Sequence, residues 1–250
     1  MTIVARTLTT TLLLSGLSLL QAQTDEPRLL RIVREDVKSG KGSEHSRIEA
    51  AYARAFAKAG FANYIGMENV TGSNQAWFVE AFDSWAAIEG ALAMQGKEPL
   101  RSEISPLSPK DGDVLHTDSS VVASLQRSLS YLPGTFHPST MRFLNVYTIR
   151  IHPGRDAEFA ERAKLLNAAR EKAGWKGRAA VYRVLSGAPE GTYLVLTPLA
   201  SLEELDAEPQ AMKIDPAIVM ESGYTLFSVN PKMSNPPKAV LDADPGFWKP

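Results

Sequence analysis

Two stretches of this chain echo each other at a separation of about 114 residues. Val37-Lys38-Ser39-Gly40-Lys41 is answered by Ile151-His152-Pro153-Gly154-Arg155, and Lys58-Ala59-Gly60-Phe61 by Lys172-Ala173-Gly174-Trp175. Val70-Thr71-Gly72 returns as Leu185-Ser186-Gly187, one residue later, and Trp77-Phe78-Val79 as Tyr193-Leu194-Val195, later by one more. Drift by single residues, confined to turns, is what two copies of one fold show after loop-length changes. The 250 residues therefore divide into two units of about 100 residues rather than one large domain. A fused pseudo-dimer follows, with any pocket framed by the same elements in each half.

Each half has its own order of elements. Leu29 to Val37 alternates as a strand ending at Ser39-Gly40. A helix follows from about Ser43, with Ile48, Ala51, Tyr52, Ala55 and Phe56 on one stripe, and Gly60 stops it. Asn63 to Val70 and Gln75 to Phe82 read as strands flanking the turn Thr71-Gly72-Ser73-Asn74, and Asp83 or Ser84 caps a second helix to about Met94. The second copy repeats this with strand Arg142 to Ile151, helix Asp156 to Lys172, strands Ala179 to Leu185 and Thr192 to Leu196, a helix Leu202 to Asp206, and a closing strand Tyr224 to Val229. The counterpart closing strand in the first copy is read at Arg127 to Leu132, after a short helix Val121 to Gln126. Strand, helix, strand, strand, helix, strand is the ferredoxin-like βαββαβ arrangement. The fold class is therefore α+β, with two tandem ferredoxin-like units packed sheet to sheet.

The boundaries expected are a leader at 1–23, a first unit at 24–140 with a loop insertion near 99–120, a second unit at 141–233, and a Pro-rich irregular tail at 234–250 onto which Phe247-Trp248 can pack. The leader has Arg6 ahead of a short apolar run, Leu12 to Leu20, and a polar boundary at Gln21-Ala22-Gln23. That is the pattern of a secretory signal peptide, and the run is shorter than the roughly 20 apolar residues of a membrane span. Export to the periplasm or the outside is expected, with no membrane association once the leader is removed.

A net charge of −1 lacks the basic footprint of a nucleic-acid binder. The absence of cysteine excludes disulfides, thiolate metal sites and cysteine nucleophiles. No Gly-x-Ser-x-Gly elbow and no phosphate-cradling glycine loop is present. Of the four histidines only His45 has a partner at metal-ligand spacing, Glu49, four residues on along a helix. Without further ligands the pair reads as a surface i,i+4 contact, so no metal and no cofactor are expected.

A ferredoxin-like unit whose first strand ends in Ser-Gly or Pro-Gly and runs straight into a charged helix resembles the dimeric α/β-barrel superfamily. NIPSNAP-type and antibiotic-biosynthesis monooxygenase-like domains belong to it. The resemblance spans roughly residues 28 to 232 and rests on element order and turn positions. It implies two sheets facing each other in a pseudo-dimeric barrel, and in each half a cavity between sheet and helices. Cofactor-free monooxygenases of this superfamily hold an oxidisable aromatic substrate in such a cavity, and haem-binding relatives place one axial histidine, which nothing singles out here.

Strand parity then selects side chains. If Val37 and Ile151 face the helices, so do Glu35, Val33 and Arg31 in the first half, and Ile149, Tyr147 and Asn145 in the second. Polar groups on an inward face need partners or a use. The pocket candidates are Arg31, Glu35, Trp77, Asn145 and Tyr147, with Glu35 the one candidate base and Arg31 its expected ion-pair partner. Arg34, Asp36, Thr148 and Arg150 fall on the opposite face, as an Arg–Asp network between the two sheets. The function expected is binding of a small apolar or aromatic molecule, by a monomer or a homo-oligomer. A cofactor-independent monooxygenase or isomerase is the first alternative and a protein-interaction module the second.

Overall fold

The computed structural model describes residues 26–61, 64–207 and 215–249. The leader at 1–23 lies outside the described residues. Among those described, no helix is long and apolar enough to cross a membrane.

Among the described residues, eight antiparallel strands close into one barrel. The first half supplies β1 (Leu29–Val37), β2 (Tyr64–Asn69), β3 (Gln75–Phe82) and β4 (Leu115–Leu125). The second supplies β5 (Phe143–Ile151), β6 (Ala180–Ser186), β7 (Thr192–Leu199) and β8 (Val219–Val229). Around the barrel the order is β1-β3-β2-β8-β5-β7-β6-β4. Each half therefore contributes four strands in the same sequence, the closing strand beside the first. The halves join where β2 meets β8 over Met67–Asn69 and where β4 meets β6 over Val122–Leu125. Helix α1 (Gly42–Lys58) covers the first half-sheet together with α2 (Trp85–Gln95), α3 (Leu100–Ile104) and α4 (Ser108–Val114). Helix α5 (Asp156–Lys172) covers the second, and α6 (Lys238–Ala243) and α7 (Pro245–Trp248) form the tail.

Three apolar clusters follow from strand alternation. Leu30, Ile32, Trp77, Val146, Leu194 and Phe227 point into the barrel and fill it. Phe78, Phe82, Ala53 and Tyr64 fill the layer between the first half-sheet and its helices, and Ile149, Ile151, Phe159 and Tyr193 fill the matching layer in the second half. Burial of this kind contributes roughly 25 cal/mol per Å² of apolar surface, so the sheets and their helices hold together without covalent staples.

Several local expectations are corrected. The segment 99–120 is not a loop but α3, α4 and the start of β4. Its prolines break nothing, because Pro99 caps α3 and Pro109 sits in the first turn of α4, where a missing N–H costs little. Residues 121–125 are strand rather than helix, and Arg127–Leu129 is a single 3₁₀ turn rather than a strand. The hydroxyl-rich β4 is extended because β1 pairs with it along its whole length, a tertiary effect that overrides weak strand propensity. Leu202–Leu205 is likewise a 3₁₀ turn. The tail is ordered: Trp248 is buried and donates its indole N–H to the Ser139 carbonyl at 3.0 Å, and Arg142 stacks on Phe247 at 3.9 Å. Val240 and Trp248 thereby plug the barrel end at which β5 begins.

The β4–β6 seam depends on Gly187. Its φ is +88°, and a Cβ there would lie 2.0 Å from the Ser120 carbonyl oxygen. Gly187→Ala should cost at least about 2 kcal/mol in urea unfolding, because left-handed strain and a backbone clash add. Gly154→Ala, at φ +80° but in open space, should lose only about 1 kcal/mol. Equal losses would show that the seam is not tight at Ser120.

Candidate functional site

Glu35 lies near the end of β1, on the face covered by α1, and opposite the small side chain of Ala76. The turn Lys38–Lys41 leads directly into α1, so the first turn of that helix passes over the end of the strand. His45 sits there, and its Nε2 lies 2.7 Å from Glu35 Oε2. One helical turn later, on the same face, comes Glu49. The fourth member is Asp111 on α4, which is drawn in by Lys38: its N–H donates to the Val114 carbonyl at 2.8 Å and its Nζ to the Asp113 carbonyl at 2.9 Å.

One ligand atom from each of Glu35, His45, Glu49 and Asp111 lies within 4.8 Å of the other three. His45 is 1% exposed, Glu49 6% and Glu35 7%. Among the described residues the Glu49 carboxylate has no hydrogen-bond or ion-pair partner, and Asp111 Oδ1 is buried without one. The electrostatics follow. Burial, then the charges of Glu35 and Asp111, hold the Glu49 carboxyl well above the usual carboxylate range. Asp111 is pushed up to about 6, first by burial and then by Glu35. Tyr52, raised by burial and by Asp111, Glu49 and Glu35, and Tyr64, raised by burial and by Glu49 and Glu80, stay protonated beside the cluster. The Tyr64 hydroxyl is also buried without a partner among the described residues. An open depression of about 250 Å³ lies between α1 and α4, its walls including Ile48 and Lys110, which immediately precede Glu49 and Asp111 in the sequence.

The five pocket candidates do not share one pocket. Glu35 is in the cluster. Arg31 lies on the same sheet face but pairs with Glu80, Nε to Oε2 at 2.9 Å, and not with Glu35, which His45 engages. Trp77 points the other way, into the barrel, with its ring 4.7 Å from that of Phe227. Asn145 and Tyr147 lie across the molecule on the second half-sheet, where Asn145 Nδ2 donates to the Tyr224 hydroxyl at 2.5 Å and Tyr147 lies 6.2 Å from the Tyr224 ring. The Arg–Asp network does not form: Gln75 and Thr117 each donate to Asp36 at 2.8 Å, and Arg34 stacks on Trp77.

The reading of His45 and Glu49 as a surface pair is corrected as well. Both are buried, because α1 lies flat on the end of β1 and α4 closes over it. A signal for this was present in the echo. Strands β1 and β5, and helices α1 and α5, correspond at a constant offset of 114 residues. At that offset Glu35, His45 and Glu49 become Ile149, Phe159 and Ala163, an apolar trio in the second layer. The second half shows what an ordinary packed layer looks like at these positions, and the first half departs from it at three of them together.

No family model and no curated protein matches the chain. Solved structures do. A chlorite dismutase from Candidatus Nitrospira defluvii is 10% identical with a TM-score of 0.53, over 88% of this chain and 96% of that one. A proposed monooxygenase from Fusobacterium nucleatum is 10% identical with a TM-score of 0.55, over 82% and 93%. An anthrone oxidase-like protein is 13% identical with a TM-score of 0.52, over 83% and 93%. At such identities the likeness shows the fold, a dimeric α/β barrel of mixed helix and antiparallel strand.

Proposed function

We propose that this chain is an exported metal-dependent protein whose first half holds one divalent cation on Glu35, His45, Glu49 and Asp111 and acts there on a small apolar or aromatic molecule. The observation that carries the reading is the buried Glu49 carboxylate, unpartnered and aimed into a cluster that already holds two other carboxyl groups. Such a group is costly unless protonated or neutralised by a cation. Ligands about 2.1 Å from a common ion sit roughly 3 Å apart when adjacent, so the 2.7 Å Glu35–His45 contact needs little change to admit one. One imidazole with three carboxylates suits Mn²⁺, Fe²⁺ or Zn²⁺ better than Mg²⁺ or Ca²⁺, which favour all-oxygen sites.

The neighbours named for oxidation chemistry support an enzyme over an interaction module. Export rests on the pattern of residues 1–23. The constant offset between the halves supports their origin as tandem copies, the arrangement NIPSNAP-type domains in tandem would give. A second reading rests on the Glu35–His45 hydrogen bond, which makes a proton-transfer pair that needs no metal.

The deciding measurement is metal content and thermal stability of the mature chain, with Mn²⁺, Zn²⁺, Mg²⁺ and Ca²⁺ added in turn. At a concentration 100 times its Kd, a bound ion stabilises by about 2.7 kcal/mol, roughly 5–10 °C for a chain of this size. Mn²⁺ or Zn²⁺ should give that rise and His45→Phe should abolish it. No metal-dependent rise in the parent protein would overturn the metal reading and leave the proton-transfer pair.

A further inference from the structure

We infer that the inside of the barrel carries a second site, distinct from the cation cluster, that binds the carboxylate of a small acid through Arg34 and Trp77. This site lies on the opposite face of the β1–β3 sheet and does not depend on the metal reading. Arg34 projects inward from β1 and stacks on the Trp77 ring at 4.4 Å. Its Nε and Nη2 are buried with no hydrogen-bond acceptor among the described residues, and so is Trp77 Nε1. Nε and Nη2 together form the side-on edge of the guanidinium, the fork whose two parallel N–H groups match a carboxylate. The stacked pair therefore presents three buried donors and no acceptor. Burial also lowers the Arg34 pKa from its ordinary value, the mark of a cation removed from water without a counter-charge.

The surroundings explain why no side chain fills that role. Asp36, the next inward position on β1, is committed to Gln75 and Thr117. Ser119 stands opposite Arg34 on β4 and offers a hydroxyl. Strands β1 and β5 run in the same direction around the closed antiparallel barrel, so their C-terminal ends share one mouth. There, on the inward face of β5, Thr148 and Arg150 stand where Val146 stands deeper in, and Arg150 Nε is also buried without a partner. Gly223 on β8 faces Thr148, with open space where a Cβ would project. The other end of the barrel is plugged by Val240 and Trp248. The interior thus grades from an apolar plug, through Phe227 and Trp77, to a polar mouth, where Arg34 and Arg150 stand with Asp36, already bonded to Gln75 and Thr117, and with Glu221, which faces Arg150 across β5 and β8. An acid with a short apolar body fits that gradient, the body against Trp77 and the carboxylate on the Arg34 fork.

The test titrates the mature protein with sodium acetate and sodium benzoate, with sodium sulfate and sodium chloride at matched ionic strength. Binding is read by melting temperature and by the indole N–H resonance of Trp77, assigned through Trp77→Phe. Saturable binding of a carboxylate, with the Trp77 indole proton moving downfield as it gains an acceptor, is the expected result. Arg34→Lys keeps the charge but loses the fork, and should weaken that binding by about tenfold or more. A parent protein whose Trp77 resonance does not respond to either carboxylate overturns the inference, whatever the variant does. So does sulfate that binds more tightly than both, or carboxylate binding unchanged in a folded Arg34→Lys.

Discussion

Replacing Glu49 by leucine will stabilise the metal-free protein at neutral pH while removing its capacity to hold a cation. The carboxylate is 6% exposed, has no partner among the described residues, and shares its space with Glu35 and Asp111. An unsatisfied buried polar group costs about 1–3 kcal/mol, and leucine of similar size fills the site without that cost. The melting temperature should rise by roughly 2–10 °C. Metal affinity should fall by more than about 100-fold, since even partners outside the coordination sphere are worth 10–100-fold. Calorimetry with and without Mn²⁺ reads both effects. A less stable metal-free leucine variant would mean that Glu49 is satisfied as it stands, and the argument for a cation would go with it.

The same carboxyls set a pH dependence whose sign is fixed. Glu49 and Asp111 have native pKa values raised above those of the unfolded chain, Asp111 to about 6. The native protein therefore holds these protons more tightly than the unfolded one. Their stabilising contribution is complete below about pH 4 and is lost as the pH rises through 6 and beyond. The metal-free protein should melt at progressively lower temperature from pH 5 to pH 7, and saturating Mn²⁺ should flatten that slope by taking the place of the protons.

The second large effect is expected inside the barrel. Phe227 is fully buried, packs on Trp77 at 4.7 Å, and lies opposite Asn69 of β2 and Leu144 of β5. It belongs both to the interior cluster and to one of the two seams that join the halves. Phe227→Ala should cost about 3–5 kcal/mol through lost burial and the cavity left behind. The loss should concentrate in faster amide exchange along β2 and β8. Phe227→Leu, which keeps most of the volume, should lose far less. If the alanine variant unfolds within 1 kcal/mol of the parent (about the scale of a benign change), the closed packing of the two half-sheets is refuted.

Much of the architecture is legible in the chain because it is written in local patterns. The echo at 114 residues, the positive-φ glycines Gly40, Gly60, Gly154 and Gly174 at matching turns, and the alternation in β1 and β5 need no long-range information. Alternation correctly placed Glu35 on the helix-covered face, since Leu30 and Ile32 lie on the other. It could not place Trp77. Both faces of β3 are apolar, because one fills the barrel and the other the helix layer, and a strand buried on both sides has no polar face to orient it. The segment 99–120 failed for a related reason: its prolines and hydroxyls lack a period, and only docking against α1 and β1 makes it helix and strand.

The candidate site divides along the same line. That Glu35 is a polar group on an inward face, and that His45 and Glu49 share one side of a helix, is settled by periods of two and 3.6 residues along the chain alone. That the three converge with Asp111, more than 60 positions further on, is decided only by α4 folding back over the end of β1. Periodicity tells a side chain which way to face within its own element. Which charges meet in the same buried volume depends on the packing between elements, and so does the free energy that makes the cluster a site.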